Sequence, residues 1–233
     1  MRDVYILQEV TMLSKDTFKF LKELKKNNNK EWFDDNRSVY EIAKADFVEF
    51  TNDLIKGISK FDAKVASANL DPKKCISRIN RDIRFSKDKT PYKPNFFAIV
   101  NCEGKKSNLA GYYMQVQPGA SFSGGGSYMP MPPDLQDIRK EIQYNLADWK
   151  KVVEAKSFLK MFPEGVQAPE ILQRIPKGFE DTDPAAEYLK MKGYYTWLPF
   201  TDADLQSKDA IKKVLKSHET AETLVAFINK ALR

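Results

Sequence analysis

The spacing of apolar residues changes twice along this chain, and the change restricts the fold to a mixed helix-and-sheet class. From residue 14 to residue 56, apolar side chains recur every three or four positions, as they do on the buried face of a helix. After Pro72 they alternate with period two, which is typical of strands, and after Pro133 the helical spacing returns. Sequential strands favour antiparallel pairing, so the sequence predicts an α+β domain.

The predicted architecture is a central, mostly antiparallel sheet over about residues 76–125, packed by N-terminal and C-terminal helices. We expect residues 1–13 to form an N-terminal extension, with Met12 as an alternative start, and residues 14–233 to form one domain. The strands are expected at 78–85, 96–102, 111–117 and 121–124. The main helices are expected at 14–26, 31–56, from 133 onward, 147–161, 183–192 and 209–232.

Composition supports a sizeable core and excludes several classes of site. Apolar residues make up 42% of the 233 residues, so disorder is not expected. The chain has a single histidine, His218, which leaves almost no material for Ser-His-Asp, Cys-His or His-ligated zinc chemistry. No apolar run is long enough to span a bilayer, and the N-terminus lacks the features of a signal peptide. We therefore expect a cytoplasmic protein with Cys75 and Cys102 reduced, no metal site, and no cofactor that the sequence identifies.

One short segment accounts for the whole net charge of +6. Residues 73–93 contain two acids, Asp82 and Asp88, and the remainder of the chain is balanced. A neutral body with one concentrated basic segment indicates a local site for an anion. The eight basic residues of the segment are Lys73, Lys74, Arg78, Arg81, Arg84, Lys87, Lys89 and Lys93.

Strand alternation divides the arginines of this segment between two faces. Arg78, Asp82 and Arg84 share a polar face, where guanidinium groups are suited to phosphate or carboxylate oxygens. Arg81 lies on the apolar face and is expected to be structural, with a buried acidic partner. The alternative is an internal ladder of ion pairs that holds the sheet to nearby helices, because structural networks use the same residue types.

Two further features are candidates for the same site. A loop follows the strand, and its Lys89 and Lys93 are placed to reach an anion held by Arg78 and Arg84. The run Gly124, Gly125 and Gly126 allows backbone N–H groups to approach an oxyanion, although a bulge or tight bend explains the glycines equally well. Arg37 is a candidate for covering a pocket beside the sheet.

Three stretches carry a resemblance to a known family: WFDDNRSVYE at 32–41, RINRDIRFSKDKTPYKPNF at 78–96 and GYYMQVQPGASFSGGGSYMP at 111–130. The chain resembles the uncharacterised bacterial and fungal family named domain of unknown function 2461, over about residues 14–230. The resemblance implies one full-length domain and draws attention to the arginine-rich motif and the glycine run. It implies no activity, substrate or catalytic residue.

Three hypotheses about function follow from these residues. The first is a small anionic ligand in a cleft, and an enzyme of phosphate-ester or nucleotide chemistry would use Asp82 as general base and Tyr92 or Tyr128 as proton donor. The second is a nucleic-acid binder that stacks bases on Tyr92, Phe96 or Trp32. The third is a non-catalytic interaction domain whose arginines are paired internally. The oligomeric state is not indicated.

Overall fold

In the computed structural model, which describes residues 12–232, helices pack against a five-stranded antiparallel sheet. The predicted α+β class, with helices from both ends of the chain on a central sheet, is confirmed. Of the N-terminal extension expected over residues 1–13, residues 1–11 lie outside the described residues. Leu13 is buried, and its backbone N–H donates to the Leu205 carbonyl at 2.9 Å. The packed body therefore reaches at least to Leu13.

The N-terminal part is helical, as predicted, but it contains one break more than the periodicity indicated. Ser14 caps the first helix, with its hydroxyl 3.1 Å from the Asp16 N–H. The helix expected over 31–56 is two helices, because the backbone of Asn36 leaves helical geometry (φ −103°, ψ 17°), while its backbone N–H and its side-chain amide both donate to the Trp32 carbonyl. The helices are α1 (Lys15–Lys26), α2 (Lys30–Asp35), α3 (Arg37–Ile58), α4 (Ala63–Ser67) and α5 (Pro72–Cys75).

The sheet is a meander to which a late part of the chain adds an edge. Its first three strands follow each other with antiparallel register, for example Phe96 opposite Val116 and Gly111 opposite Gly126. Two short strands from residues 194–200 both pair with the third strand. The strands are β1 (Phe96–Val100), β2 (Gly111–Val116), β3 (Ser121–Ser127), β4 (Tyr194–Tyr195) and β5 (Leu198–Phe200).

The C-terminal helices agree with the prediction in position and differ in length. The helix expected over 147–161 is interrupted at residues 154–155, and the one expected over 183–192 is a single turn. The closing helix is continuous and nearly as long as expected. These helices are α6 (Pro132–Tyr144), α7 (Leu146–Val153), α8 (Lys156–Met161), α9 (Ala186–Leu189), α10 (Asp202–Leu205) and α11 (Ala210–Ala231). Within residues 12–232, no helix combines the length and apolarity needed to cross a membrane.

The core lies between the helices and one face of the sheet. In β1 the alternate residues Phe96, Ala98 and Val100 are buried, while Phe97 and Ile99 point to the other face and are half-buried. Helix α11 lies close to β3, since a Cβ atom on Gly125 would be only 2.9 Å from the Ala221 Cβ atom. The run Gly124, Gly125 and Gly126 lies within β3 itself, because this strand continues beyond the end expected at residue 124.

The single histidine belongs to this core. His218 of α11 is almost fully buried, and its Nε2 atom lies 3.1 Å from the Tyr113 carbonyl oxygen. That oxygen only accepts hydrogen bonds, so Nε2 carries the proton and the neutral ring has an unprotonated Nδ1, which has no partner among the described residues. Burial lowers the pKa of His218 to about 4.

This burial predicts a stability change in mild acid. Because the folded pKa of about 4 lies below the ordinary 6.5, the unfolded chain takes up the proton first as the pH falls. The free energy of unfolding should therefore decrease between about pH 6.5 and pH 4, by about 3 kcal/mol at roughly 1.4 kcal/mol per pKa unit. Urea unfolding at both ends of that range measures the loss.

The matched variant is His218→Gln, which keeps a side-chain N–H for the Tyr113 carbonyl and does not titrate. It should lose about 3 kcal/mol less than the wild type over the same pH interval. An equal loss in the two proteins would assign the acid sensitivity to carboxylates elsewhere.

Candidate functional site

The basic segment begins beside β1 and runs along the edge of the sheet. Its first residues form α5, which is capped by the Asp71 carboxylate on the Lys73 N–H at 2.9 Å. The chain then passes antiparallel to β1, where Ile76 bridges to Ala98 and the Ser77 N–H donates to the Phe97 carbonyl at 2.8 Å. These bonds fix the backbone immediately before Arg78.

The strand predicted over 78–85 is wrong in its extent. Only a short two-stranded ribbon forms, in which Asn80 bridges to Tyr92. The Arg81 N–H donates to the Pro91 carbonyl and the Lys93 N–H to the Ile79 carbonyl, both at 2.8 Å. Pairing stops at Arg81 because the opposite chain is Pro91, which has no N–H to return a bond. The predicted alternation survives at the start of the segment, since Ile79 is buried and Arg78 and Asn80 are exposed.

A side chain that the sequence analysis did not single out anchors this ribbon. Asn28, which follows α1, donates its amide to the Tyr92 carbonyl at 2.9 Å and accepts from the Tyr92 N–H at 3.0 Å. The Tyr92 ring stacks on Phe33 with centroids 4.0 Å apart. Asn28 lies just after the helix expected over 14–26, and it holds the basic segment to the helical layer.

The loop beyond the ribbon is held by Arg81. Its guanidinium pairs with Asp88 and donates to the Thr90 hydroxyl, and it lowers the pKa of Asp88 to about 2. The acidic partner expected for Arg81 is therefore present, but it is exposed and comes from the same loop. The Lys89 ammonium donates to the Ile83 carbonyl at 3.0 Å, so this side chain also stabilises the loop.

Arg84 and Asp82 form an exposed pair at the tip of this loop. Two bonds join them, from Nε at 2.9 Å and from Nη2 at 2.6 Å, and the arginine lowers the pKa of Asp82. The next residue, Phe85, is 95% exposed. Asp82 is therefore an ionised carboxylate in solvent with a guanidinium already bound to it.

Arg78, in contrast, lines an open hollow of about 630 Å³ between α3 and the start of the basic segment. We call this hollow the basic cleft. Its floor is apolar and its rim is charged. It is lined by Tyr40, Glu41, Lys44, Ala45, Val48, Glu49, Lys73, Ile76, Ser77, Arg78, Phe96 and Lys105.

Positive charge exceeds negative charge at this rim. Arg78, Lys73 and Lys105 make no ion pair with any carboxylate within residues 12–232, and Lys105 donates to the Ile76 carbonyl. Lys93 lies beside them, with its ammonium 3.0 Å from the Arg78 carbonyl oxygen. Its pKa is lowered, first by burial and then by the charges of Arg78 and Lys105. An anion entering the cleft would meet cations that have not been neutralised.

The other candidate residues lie elsewhere. Gly124 and Gly126 face the backbone of residues 194–196 so closely that a Cβ atom on either would overlap a carbonyl oxygen. Arg37 is exposed on α3, where it pairs with Asp34 and lies over the Phe33 ring. Tyr128 is exposed beyond the end of β3 and contacts Tyr195. The structure thus brings Arg78 and Lys93 together and leaves Arg84, Lys89, Asp82 and the glycine run outside the cleft.

The three aromatic residues considered for base stacking pack within the protein. Tyr92 lies on Phe33, Phe96 stacks on Phe47 with centroids 5.3 Å apart, and Trp32 stacks on Phe20 at 6.1 Å. Among the described residues, no group of three or more His, Cys, Asp or Glu side chains is arranged to hold a metal ion.

Comparison with known proteins gives one match. A family model described as "Conserved hypothetical protein (DUF2461)" matches residues 16–227, which includes the basic segment, the sheet and most of α11. No curated protein and no solved structure matches the chain.

The position of the glycine run predicts its effect on stability. In Gly124→Ala the new methyl group would overlap the Thr196 carbonyl, so β3 and its edge strand must separate, which we expect to cost about 2–3 kcal/mol. Chemical denaturation measures this. Gly119→Ala is the control, because that turn glycine has open space around it and only a left-handed backbone to strain, a cost of about 1 kcal/mol. Wild-type stability in Gly124→Ala would leave the glycines without a packing role.

Proposed function

We propose that this protein, which belongs to the family of conserved hypothetical proteins DUF2461, binds a small anionic ligand in the basic cleft. A phosphate or carboxylate group of the ligand would lie against Arg78, with Lys73, Lys93 and Lys105 around it. The ligand is bound and carried or sensed; no catalytic step is part of the proposal.

The state of Arg78 is the observation that carries this proposal. Of the three arginines in the basic segment, Arg81 and Arg84 each have a carboxylate partner within the loop. Arg78 forms no ion pair in the described chain, its charge acts on Asp82 only at longer range, and three lysines, Lys73, Lys93 and Lys105, lie around it. The cations of the cleft outnumber its two carboxylates, Glu41 and Glu49, and repel one another, and an oxyanion relieves that repulsion while it accepts bonds from the guanidinium fork.

The cleft also limits the shape of the ligand. Tyr40, Val48, Ile76 and Phe96 give it an apolar floor beneath the charged rim. A volume of about 630 Å³ is in the range of small-molecule clefts, which combine apolar walls with a few placed polar groups. These features favour an anion with an apolar or planar body over a bare inorganic ion.

The enzymatic form of the hypothesis has less support. Asp82 is held by Arg84 in solvent, Tyr92 is buried against Phe33, and Tyr128 lines neither the cleft nor any hollow with the other two. A base and an acid must reach one reacting group, and these three residues do not converge. Binding is therefore the function that the geometry supports best.

Arg78→Ala should lower the affinity for phenyl phosphate by about tenfold or more, since a charge-assisted bond contributes roughly 1.5–3 kcal/mol. Phenyl phosphate is the probe because it combines an oxyanion with a flat apolar ring, and titration calorimetry measures its dissociation constant. Benzoate and inorganic phosphate, titrated in the same way, separate the contributions of the charge and of the ring.

The control is Arg84→Ala, which removes an arginine of the same segment outside the cleft and should leave the affinity unchanged. Equal losses in the two variants would assign the effect to net charge alone, and no heat with any of the three anions would refute the proposal. Tight, salt-dependent binding of an oligonucleotide with no response to phenyl phosphate would favour the nucleic-acid hypothesis instead.

The pKa of Lys93 provides an independent measurement of anion binding in the basic cleft. Its pKa is lowered by burial and by the neighbouring charges of Arg78 and Lys105, so an anion bound among them should raise it. Nitrogen-detected NMR of the lysine ammonium groups, with Lys93→Arg for assignment, measures this pKa with and without phenyl phosphate. An unchanged pKa at saturation would place the anion elsewhere.

A further inference from the structure

The face of the sheet opposite the helices has a hollow of about 400 Å³ with a different chemistry. We call it the aromatic groove. Sheet alternation places its residues there, since Phe97 of β1 and Phe122 of β3 point away from the helical layer. Its six aromatic side chains are Phe97, Tyr113, Phe122, Tyr128, Tyr195 and Trp197.

The rings stand in pairs that form walls. Tyr128 meets Tyr195 edge to face with centroids 5.1 Å apart, and Phe122 meets Trp197 in the same way at 5.7 Å. Phe97 and Tyr113 are nearly parallel at 6.3 Å. Two of the pairs are joined, since Tyr113 also meets Phe122 edge to face with centroids 6.2 Å apart. The result is a hollow lined by the faces and edges of aromatic rings.

The polar groups of the groove are mostly donors that lack partners. Gln167, the seventh lining residue, is neutral, so the lining carries no charged side chain. No hydrogen bond within residues 12–232 is made by the Trp197 indole N–H, the side-chain amide of Gln167, or the hydroxyl groups of Tyr128 and Tyr195. Tyr128 is 56% exposed and Trp197 42% exposed. These donors are available to carbonyl acceptors on an incoming ligand.

The groove continues into a second hollow of about 450 Å³ that shares Phe97, Tyr113 and Tyr128. This continuation adds the exposed side chains of Met129 and Met131. Methionine adapts to irregular apolar partners. Two joined hollows along one face suit an extended occupant better than a compact one.

We propose that the aromatic groove binds a proline-rich peptide segment of another protein in the polyproline II conformation. Such a segment presents flat pyrrolidine rings that pack on exposed aromatic side chains such as Tyr128 and Trp197, and its backbone carbonyls are free to accept bonds from donors such as the Trp197 N–H. A nucleotide would require cations for its phosphates, and a sugar would require many polar partners for its hydroxyl groups; the seven residues of the groove provide neither, and its continuation adds one cation, Lys106, together with the carboxylate of Asp134.

The experiment uses the full chain and a capped, uncharged peptide of about ten residues with prolines at most positions. The chain has three tryptophans, so proton–nitrogen NMR shows three indole signals, and Trp197→Phe identifies the relevant one. Titration of the peptide should shift the Trp197 signal and leave that of the buried Trp149 in place. A peptide of the same length with alanine in place of proline should produce no shift.

Matched variants locate the site. Trp197→Ala should weaken binding of the proline-rich peptide by about tenfold or more, as expected for a central aromatic residue of an interface. Tyr144→Ala, which removes a 78% exposed aromatic side chain outside the groove, should leave binding unchanged. Retained binding of phenyl phosphate by Trp197→Ala would show that the variant is folded and would separate this site from the basic cleft.

Four results would overturn the proposal. They are an unmoved Trp197 signal at the solubility limit of the peptide, equal binding of the alanine peptide, a Trp197 response to a neutral oligosaccharide or an oligonucleotide alone, and a dimer in ultracentrifugation that Trp197→Ala dissociates. The last result would mean that a second copy of this chain covers the groove.

Discussion

The close approach of α11 to β3 is the contact on which the other features depend. Gly125 has no side chain, so Ala221 and Val225 of α11 reach the strand backbone, and the Ser123 and Ser217 hydroxyl oxygens come within 2.5 Å of each other. Only a residue without a Cβ atom allows a helix to pack this near to a sheet. The same approach puts the His218 ring against the backbone of β2. One face of the sheet is thereby covered by the helices, and Phe97, Tyr113 and Phe122 lie on the other.

The basic segment is positioned by packing more than by strand pairing. Its ribbon has few hydrogen bonds, but Ile79 and Tyr92 are buried and Asn28 bonds both backbone groups of Tyr92. The exposed residue next to Ile79 is Arg78, so the burial of one side chain directs its neighbour towards the cleft. Farther along the segment, Arg81 and Arg84 each form an ion pair with an aspartate of the same loop. This division leaves the unpaired cations at the end of the segment nearest to α3.

The spacing of apolar residues predicts most of the helices and strands, and the places where the prediction is wrong have physical causes. Long amphipathic helices such as α1 and α11, and the strands of the meander, follow from local patterns. The break at Asn36 is a change in the backbone of one residue, and β4 and β5 are too short to show alternation. For the site, composition located the charged segment and alternation exposed Arg78. The role of Asn28 and the separation of Arg84 from the cleft depend on tertiary contacts with residues distant in sequence, which a single sequence does not contain.

The two surfaces meet at β1 without sharing a side chain. Phe96 lies in the floor of the basic cleft and Phe97, the next residue, lines the aromatic groove; Lys105 and Lys106 are divided in the same way. Successive strand residues point to opposite faces, so a substitution at one position alters one surface directly. Coupling between occupants of the two surfaces would require β1 to adopt two arrangements. Its register with β2 and the burial of Phe96, Ala98 and Val100 favour a single one, so the cleft and the groove should act as independent sites.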